Sequence, residues 1–127
     1  LITKIIHIKK SNKKYFIILD AGMNNFMRPA LYGAEHQIVP LKKNNNIFRG
    51  NIKFVGPVCE SSDEFLSKKN FSKLTTGDYV AIVNVGAYGM SLSSNYNSRP
   101  TVAEIIVKDS KHKQIRQRQS LDSLVNN

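Results

Sequence analysis

Tryptophan is absent from the 127 residues, and cysteine occurs once. A single thiol closes no internal disulfide, so the chain is not a disulfide-stapled mini-domain; the usage fits a reducing compartment, and a cytoplasmic location is expected. Long apolar runs are missing. Stretches such as Phe16–Leu19 fall far short of the ~20 residues that span a bilayer, and no charged-then-apolar segment opens the chain, so no membrane partner is expected. The three histidines, His7, His36 and His112, are scattered and no Cys-x-x-Cys occurs, which argues against a zinc site. Acidic residues are scarce, 9 against 19 basic ones, for a net charge of +10. Such an excess can serve nucleic acid. Here the lysines are dispersed in pairs, Lys9-Lys10, Lys13-Lys14, Lys42-Lys43 and Lys68-Lys69, beside runs such as Asn44-Asn45-Asn46. That reads as a Lys/Asn bias, not a built patch.

The length suits one domain, large enough to bury about two thirds of its unfolded surface. The first residue is Leu1, which points to a piece of a longer chain. Leu1–Ile8 reads as a strand, Lys9–Lys14 as a turn around Ser11-Asn12, and Tyr15–Leu19 as a second, central strand, apolar on both faces. Asp20–Asn25 breaks the pattern. Pro29 suits the first turn of a short helix, and Gly33 suits its end. Gln37–Leu41 is a weak strand, with Pro40 marking an edge. Asn44–Asn46 is a turn, and Ile47–Val55 is a strand. Asp63–Lys69 reads as one or two helical turns, Thr75–Asp78 as a turn, and Tyr79–Val85 as a strand. Gly86–Pro100 reads as a long loop. Thr101–Val107 and Gln114–Gln119 form a hairpin around Asp109-Ser110, and Ser120 caps a last short helix carrying Leu121, Leu124 and Val125. Many short strands with little helix indicate a mainly β fold, an antiparallel β-sandwich or Greek-key barrel with a few short helices.

The chemistry concentrates at Gly56-Pro57-Val58-Cys59-Glu60-Ser61-Ser62-Asp63. Gly-Pro before and Ser-Ser-Asp after the pair place Cys59 and Glu60 on a loop. A thiol can donate a proton and a carboxylate can hold an ammonium, so the two together suit an amino-acid substrate. The competing reading is a lone cysteine packed as a small hydrophobe, which Val55 and Val58 favour. Arg28 and Tyr32, four apart, share a face if the Pro29 turn is helical; from spacing alone, a solvated arginine and a partly packed tyrosine is the more economical reading. Gly86 and Gly89 flank Tyr88 and would let the backbone approach a ligand while the phenol projects; an ordinary Gly/Ser/Asn loop accounts for them as well.

Taken together and in order, Leu19-Asp20-Ala21-Gly22-Met23-Asn24, Met27-Arg28-Pro29-Ala30-Leu31-Tyr32, Gly56-Pro57-Val58-Cys59-Glu60-Ser61, Gly86-Ala87-Tyr88-Gly89 and Ser93-Ser94-Asn95-Tyr96-Asn97-Ser98-Arg99-Pro100 resemble the C-terminal portion of the diaminopimelate decarboxylases, from about Tyr15 to the end. The resemblance implies that residues 1–127 are the C-terminal β domain of an alanine-racemase-like enzyme. Its pyridoxal 5'-phosphate is carried on a lysine outside this chain, in an N-terminal (β/α)8 barrel. It further implies a head-to-tail homodimer with active sites built from both subunits, and decarboxylation of meso-diaminopimelate at its D centre to L-lysine, in lysine biosynthesis. This chain alone is then not expected to be a complete enzyme. Two positions depart from the family's usual pattern: Ser62 stands where glycine is common, and Met90 where phenylalanine is.

In that setting the roles implied are these. Cys59 donates the proton to the carbon that has lost carbon dioxide; a free thiol titrates near pH ~8.5, so the proton is available at neutral pH. Arg28 takes the distal carboxylate in a bidentate fork, Tyr32 adds a hydroxyl, and Glu60 takes the distal ammonium. Tyr88 corresponds to the tyrosine that meets cofactor and substrate. A stand-alone basic β-barrel that binds nucleic acid is the alternative; it predicts aromatic and basic residues interleaved on one sheet face, a pattern that Tyr15, Phe16 and Phe54 do not make.

Overall fold

The computed structural model describes residues 1–126. Six strands form one barrel-like sheet in the order β3-β6-β1-β2-β4-β5. They are β1 (Ile2–Ser11), β2 (Lys14–Leu19), β3 (Ile38–Pro40), β4 (Ile47–Val55), β5 (Glu64–Ser72) and β6 (Tyr79–Ile82). Three short helices, α1 (Arg28–Tyr32), α2 (Ala87–Ser91) and α3 (Leu121–Val125), and a 3-10 turn at Tyr96–Ser98 decorate it. A separate hairpin joins β7 (Glu104–Lys108) to β8 (Lys111–Arg116). None of the described helices is long and apolar enough to cross a membrane.

The core lies inside the sheet. Ile5, Ile17, Leu19, Phe26, Phe54 and Val80 are fully buried, and Phe54 meets Phe71 edge to face at 4.9 Å between ring centroids. The central place expected for Tyr15–Leu19 is found: β2 pairs antiparallel with β1 and parallel with β4. The parallel pair is the one exception to an otherwise antiparallel sheet, and it matters for function. Parallel neighbours need a crossover connection, and here that crossover is residues 20–46, which carry α1 and β3.

Several boundaries differ from expectation. Asp63–Lys69 is not helical: β5 runs through it, because pairing with β4 buries Phe65 and Phe71 and a Lys53–Glu64 bridge of 2.6 Å links the two strands. Local helix propensity yields to this tertiary pairing. β1 continues to Ser11, so its turn is only Asn12-Lys13, both at positive φ. That is the primed geometry that matches strand twist. Asp109 and Ser110 repeat this device, at φ 50° and 62°, so β8 begins at Lys111, earlier than the predicted Gln114. β6 stops at Ile82, before the expected Val85. The loop predicted over Gly86–Pro100 holds α2 and the 3-10 turn. The helix at Pro29 ends on Gly33 at φ 63°, and Ser120 Oγ accepts from Ser123 N at 3.0 Å, both as predicted.

Candidate functional site

Three loops converge at one end of the sheet: residues 20–26, 56–63 and 94–99. Their knot is Asp63, a buried carboxylate that the sequence presents only as turn chemistry. Its Oδ1 accepts from Met23 N at 2.7 Å, and its Oδ2 accepts from Val58 N at 2.8 Å. Its own backbone closes the loop, with Gly56 N donating to Asp63 O at 2.9 Å and Asp63 N to Glu60 O at 3.1 Å. Burial pushes the Asp63 carboxyl above its ordinary range, against the two backbone donors and the Arg99 charge, which favour the ionised form.

Glycine is required here for space. A Cβ on Gly56 would overlap both Asp63 carboxylate oxygens, and one on Gly22 would come within 2.9 Å of Val58 Cγ2. Asn24, fully buried, ties the third loop: Ser94 N donates to Asn24 O at 2.9 Å, and Asn24 Nδ2 to Ser94 O at 3.4 Å. Arg99 reaches back to Asp20 O at 2.5 Å.

Cys59 and Glu60 stand exposed on top of this frame, while Val58 beneath them is buried. The loop predicted from Gly-Pro and Ser-Ser-Asp is therefore present, and the valine, not the cysteine, is the packed residue. Glu60 Oε1 accepts a short hydrogen bond from the Tyr96 hydroxyl, a partner that sequence spacing could not supply. Ser62 is exposed and outside the left-handed region, so serine in place of glycine meets no backbone strain.

The second group of predicted residues gathers elsewhere. Arg28 and Tyr32 do share a face of α1, and with Tyr88 and Leu92 they line an open cavity of about 380 Å³. The Arg28 guanidinium lies over the Tyr88 ring at 5.5 Å, a cation–π contact. Its Nε is buried with no protein partner, an orphaned donor of the kind that an anionic ligand satisfies. Tyr32 and Tyr88 are 65% and 59% exposed, so both phenols face outward. Gly89 is tight for a local reason: a Cβ there would strike Val85, a contact within the chain and not with a ligand. The other side of α1, with Pro29 and Ala30, faces Ser62 and β5. Cys59 and Glu60 are not among the side chains lining the Arg28 cavity.

A buried unpartnered guanidinium donor and two exposed phenols suit an anionic group, a phosphate or a carboxylate.

Known proteins share this sequence and shape. The chain is 46% identical over 124 residues to the diaminopimelate decarboxylase of Helicobacter pylori, covering 98% of this chain and 31% of that protein. It is 43% identical over 125 residues to the Zymomonas mobilis enzyme, covering 98% and 29%. The crystal structure of the H. pylori enzyme with L-lysine superposes with a TM-score of 0.90 over 99% of this chain and 30% of that one, at 46% identity. That of the M. jannaschii enzyme with L-lysine superposes with 0.92 over 98% and 28%, at 37% identity. The chain thus spans about three tenths of the length of these relatives. The sequence pattern of the pyridoxal-dependent decarboxylase C-terminal sheet domain matches residues 1–86, up to Gly86 at the start of α2. The chain belongs to the pyridoxal-dependent decarboxylases, as their C-terminal sheet domain.

Proposed function

We propose that residues 1–127 are the C-terminal domain of a diaminopimelate decarboxylase, a cytoplasmic homodimer that converts meso-2,6-diaminopimelate to L-lysine. The observation that carries the reading is Arg28: a half-buried guanidinium with an orphaned Nε, over the Tyr88 ring in an open cavity that Tyr32 also lines. Arg28 and Tyr32 hold the carboxylate of the amino-acid end that does not react. Tyr88 borders the reacting end and the cofactor. Pyridoxal phosphate, carried on a lysine of an N-terminal barrel, supplies the sink for the electron pair left when carbon dioxide departs. Cys59 Sγ gives its proton to the carbon that lost the carboxylate, and Glu60 Oε2 receives the distal ammonium.

The separation of the two groups supports a dimer. Cys59 and Glu60 are exposed on the 56–63 loop and do not line the cavity of their own chain's Arg28. In a head-to-tail pair, each subunit gives its cysteine–glutamate loop to the partner's site while its own Arg28 cavity receives the partner's loop. The test is to assay the full-length protein for lysine and carbon dioxide from meso-diaminopimelate with pyridoxal phosphate. Stoichiometric release of both is expected, and none from the isolated chain. A full-length protein that folds, takes up the cofactor and forms no lysine would overturn the assignment.

A further inference from the structure

The Glu60–Tyr96 pair joins two loops that are each fixed independently. On one side, Glu60 N donates to Val58 O at 2.8 Å, and Asp63 anchors the rest of that loop. On the other side, Tyr96 opens the 3-10 turn, its N held by Ser94 Oγ at 3.3 Å. Ser94 is tied to buried Asn24. Asn95 Nδ2 is bound to Arg99 O at 2.9 Å and to Gln119 Oε1 at 2.6 Å. Immediately after Tyr96, Asn97 and Ser98 sit at φ 60° and 52°. Two consecutive non-glycine residues in the left-handed region are costly and persist where surrounding contacts enforce them, often near functional sites. Their effect here is to turn the chain sharply after Tyr96 toward Arg99, which is anchored on Asp20 O.

An exposed glutamate has three rotatable bonds and samples many directions. An exposed hydrogen bond adds little to fold stability, so this one is better explained by direction than by folding. Of the two Glu60 carboxylate oxygens, Oε1 is taken by Tyr96 and Oε2 has no protein partner among the described residues. The phenol is held above its ordinary titration range, chiefly by the bond to Glu60, so it remains a donor across the physiological pH range.

We infer that Tyr96 is a positioning residue: by donating to Oε1, it aims the free Oε2 of Glu60 at the primary ammonium of an amino-acid substrate. The inference rests on the reading of Glu60 as the ammonium's partner. Tyr96 does not touch the reacting atoms, so its removal should weaken binding and leave the chemical step alone.

The experiment uses the full-length protein with pyridoxal phosphate and compares wild type with Tyr96→Phe, Glu60→Gln and the double variant. The difference in ultraviolet titration between wild type and Tyr96→Phe isolates the Tyr96 phenol. The same difference between Glu60→Gln and the double variant is expected to move to lower pH, which establishes the contact in solution. In steady-state kinetics with meso-diaminopimelate, Tyr96→Phe is expected to raise KM several-fold with kcat near wild type and an unchanged melting temperature. The double variant is expected to be no worse than Glu60→Gln alone, since both act on one interaction. The positioning role is overturned if Tyr96→Phe keeps the wild-type KM while Glu60→Gln raises it, if the two effects add, or if kcat falls instead of KM rising. If Glu60→Gln itself leaves KM unchanged, the assignment of Glu60 fails and the positioning role fails with it, and the titration then reports separately whether the pair forms. A Tyr96 titration indifferent to Glu60→Gln removes the contact and the inference together.

Discussion

Replacing Gly56 by alanine should damage this protein out of proportion to a single methyl group. Gly56 is outside the left-handed region and precedes Pro57, an extended position that alanine adopts freely. By backbone criteria alone, Gly56→Ala would be neutral or would stabilise by about 0.4–1 kcal/mol, through a less flexible unfolded chain. The structure reverses that sign. The new Cβ would overlap both oxygens of the buried Asp63 carboxylate, which accepts from Met23 N and Val58 N at 2.7 and 2.8 Å. Hydrogen bonds to a charged group contribute about 1.5–3 kcal/mol each. A shift that keeps one bond therefore costs about 1.5–3 kcal/mol, and expulsion of the carboxylate costs about 3–6 kcal/mol. The assay is denaturant unfolding of four proteins: wild type, Gly56→Ala, Asp63→Ala and the double variant. Gly56→Ala should lose at least about 1.5 kcal/mol in the wild-type background. With Asp63→Ala already present, the methyl enters vacated space and its cost should fall to within about 0.5 kcal/mol of zero. An equal cost in both backgrounds would refute the steric argument and remove Asp63 as the knot of the three loops.

Three further outcomes follow from the same geometry. Arg28→Lys in the full-length protein should raise KM for meso-diaminopimelate about tenfold to a hundredfold, because a point charge cannot replace the planar fork; an unchanged KM takes Arg28 out of the site. Cys59→Ala should lower kcat about 10²–10⁴-fold with little change in KM or in melting temperature, since Cys59 is exposed. Cys59→Ser should rescue poorly, because a hydroxyl is the weaker acid, and Glu60→Gln should act mainly on KM; near-normal turnover in Cys59→Ala would leave the thiol without a chemical role. For Asp63, the raised carboxyl pKa means that the folded chain binds this proton more tightly than the unfolded one. Its contribution to stability is then full in acid and declines as pH rises through the raised value. The stability difference between wild type and Asp63→Asn, followed by urea unfolding across pH, should shrink from acid toward neutral; a difference that grows instead contradicts the dominance of burial.

What the sequence determined by itself is local. Turn chemistry marked the 56–63 loop, Pro29 and Gly33 bounded α1, Ser120 capped α3, and the doubly apolar Tyr15–Leu19 marked the centre of the sheet. In each case the residues dictate the conformation through their own φ limits or their own side-chain hydrogen bonds. The order of the motifs also sufficed to indicate the family, because that order survives in sequence whatever the fold does. Tertiary structure decided the rest. Asp63–Lys69 became a strand because Phe65 and Phe71 find a core only when paired with β4. The crossover carrying Arg28 and Tyr32 exists because β2 and β4 run parallel. Arg28 meets Tyr88 across sixty positions of chain, and Glu60 meets Tyr96 across thirty-six. No periodicity encodes such encounters: the second arises because loops fixed by Asp63 and Asn24 meet at one end of the sheet, the first because α1 of the crossover and α2 come together at a separate cavity.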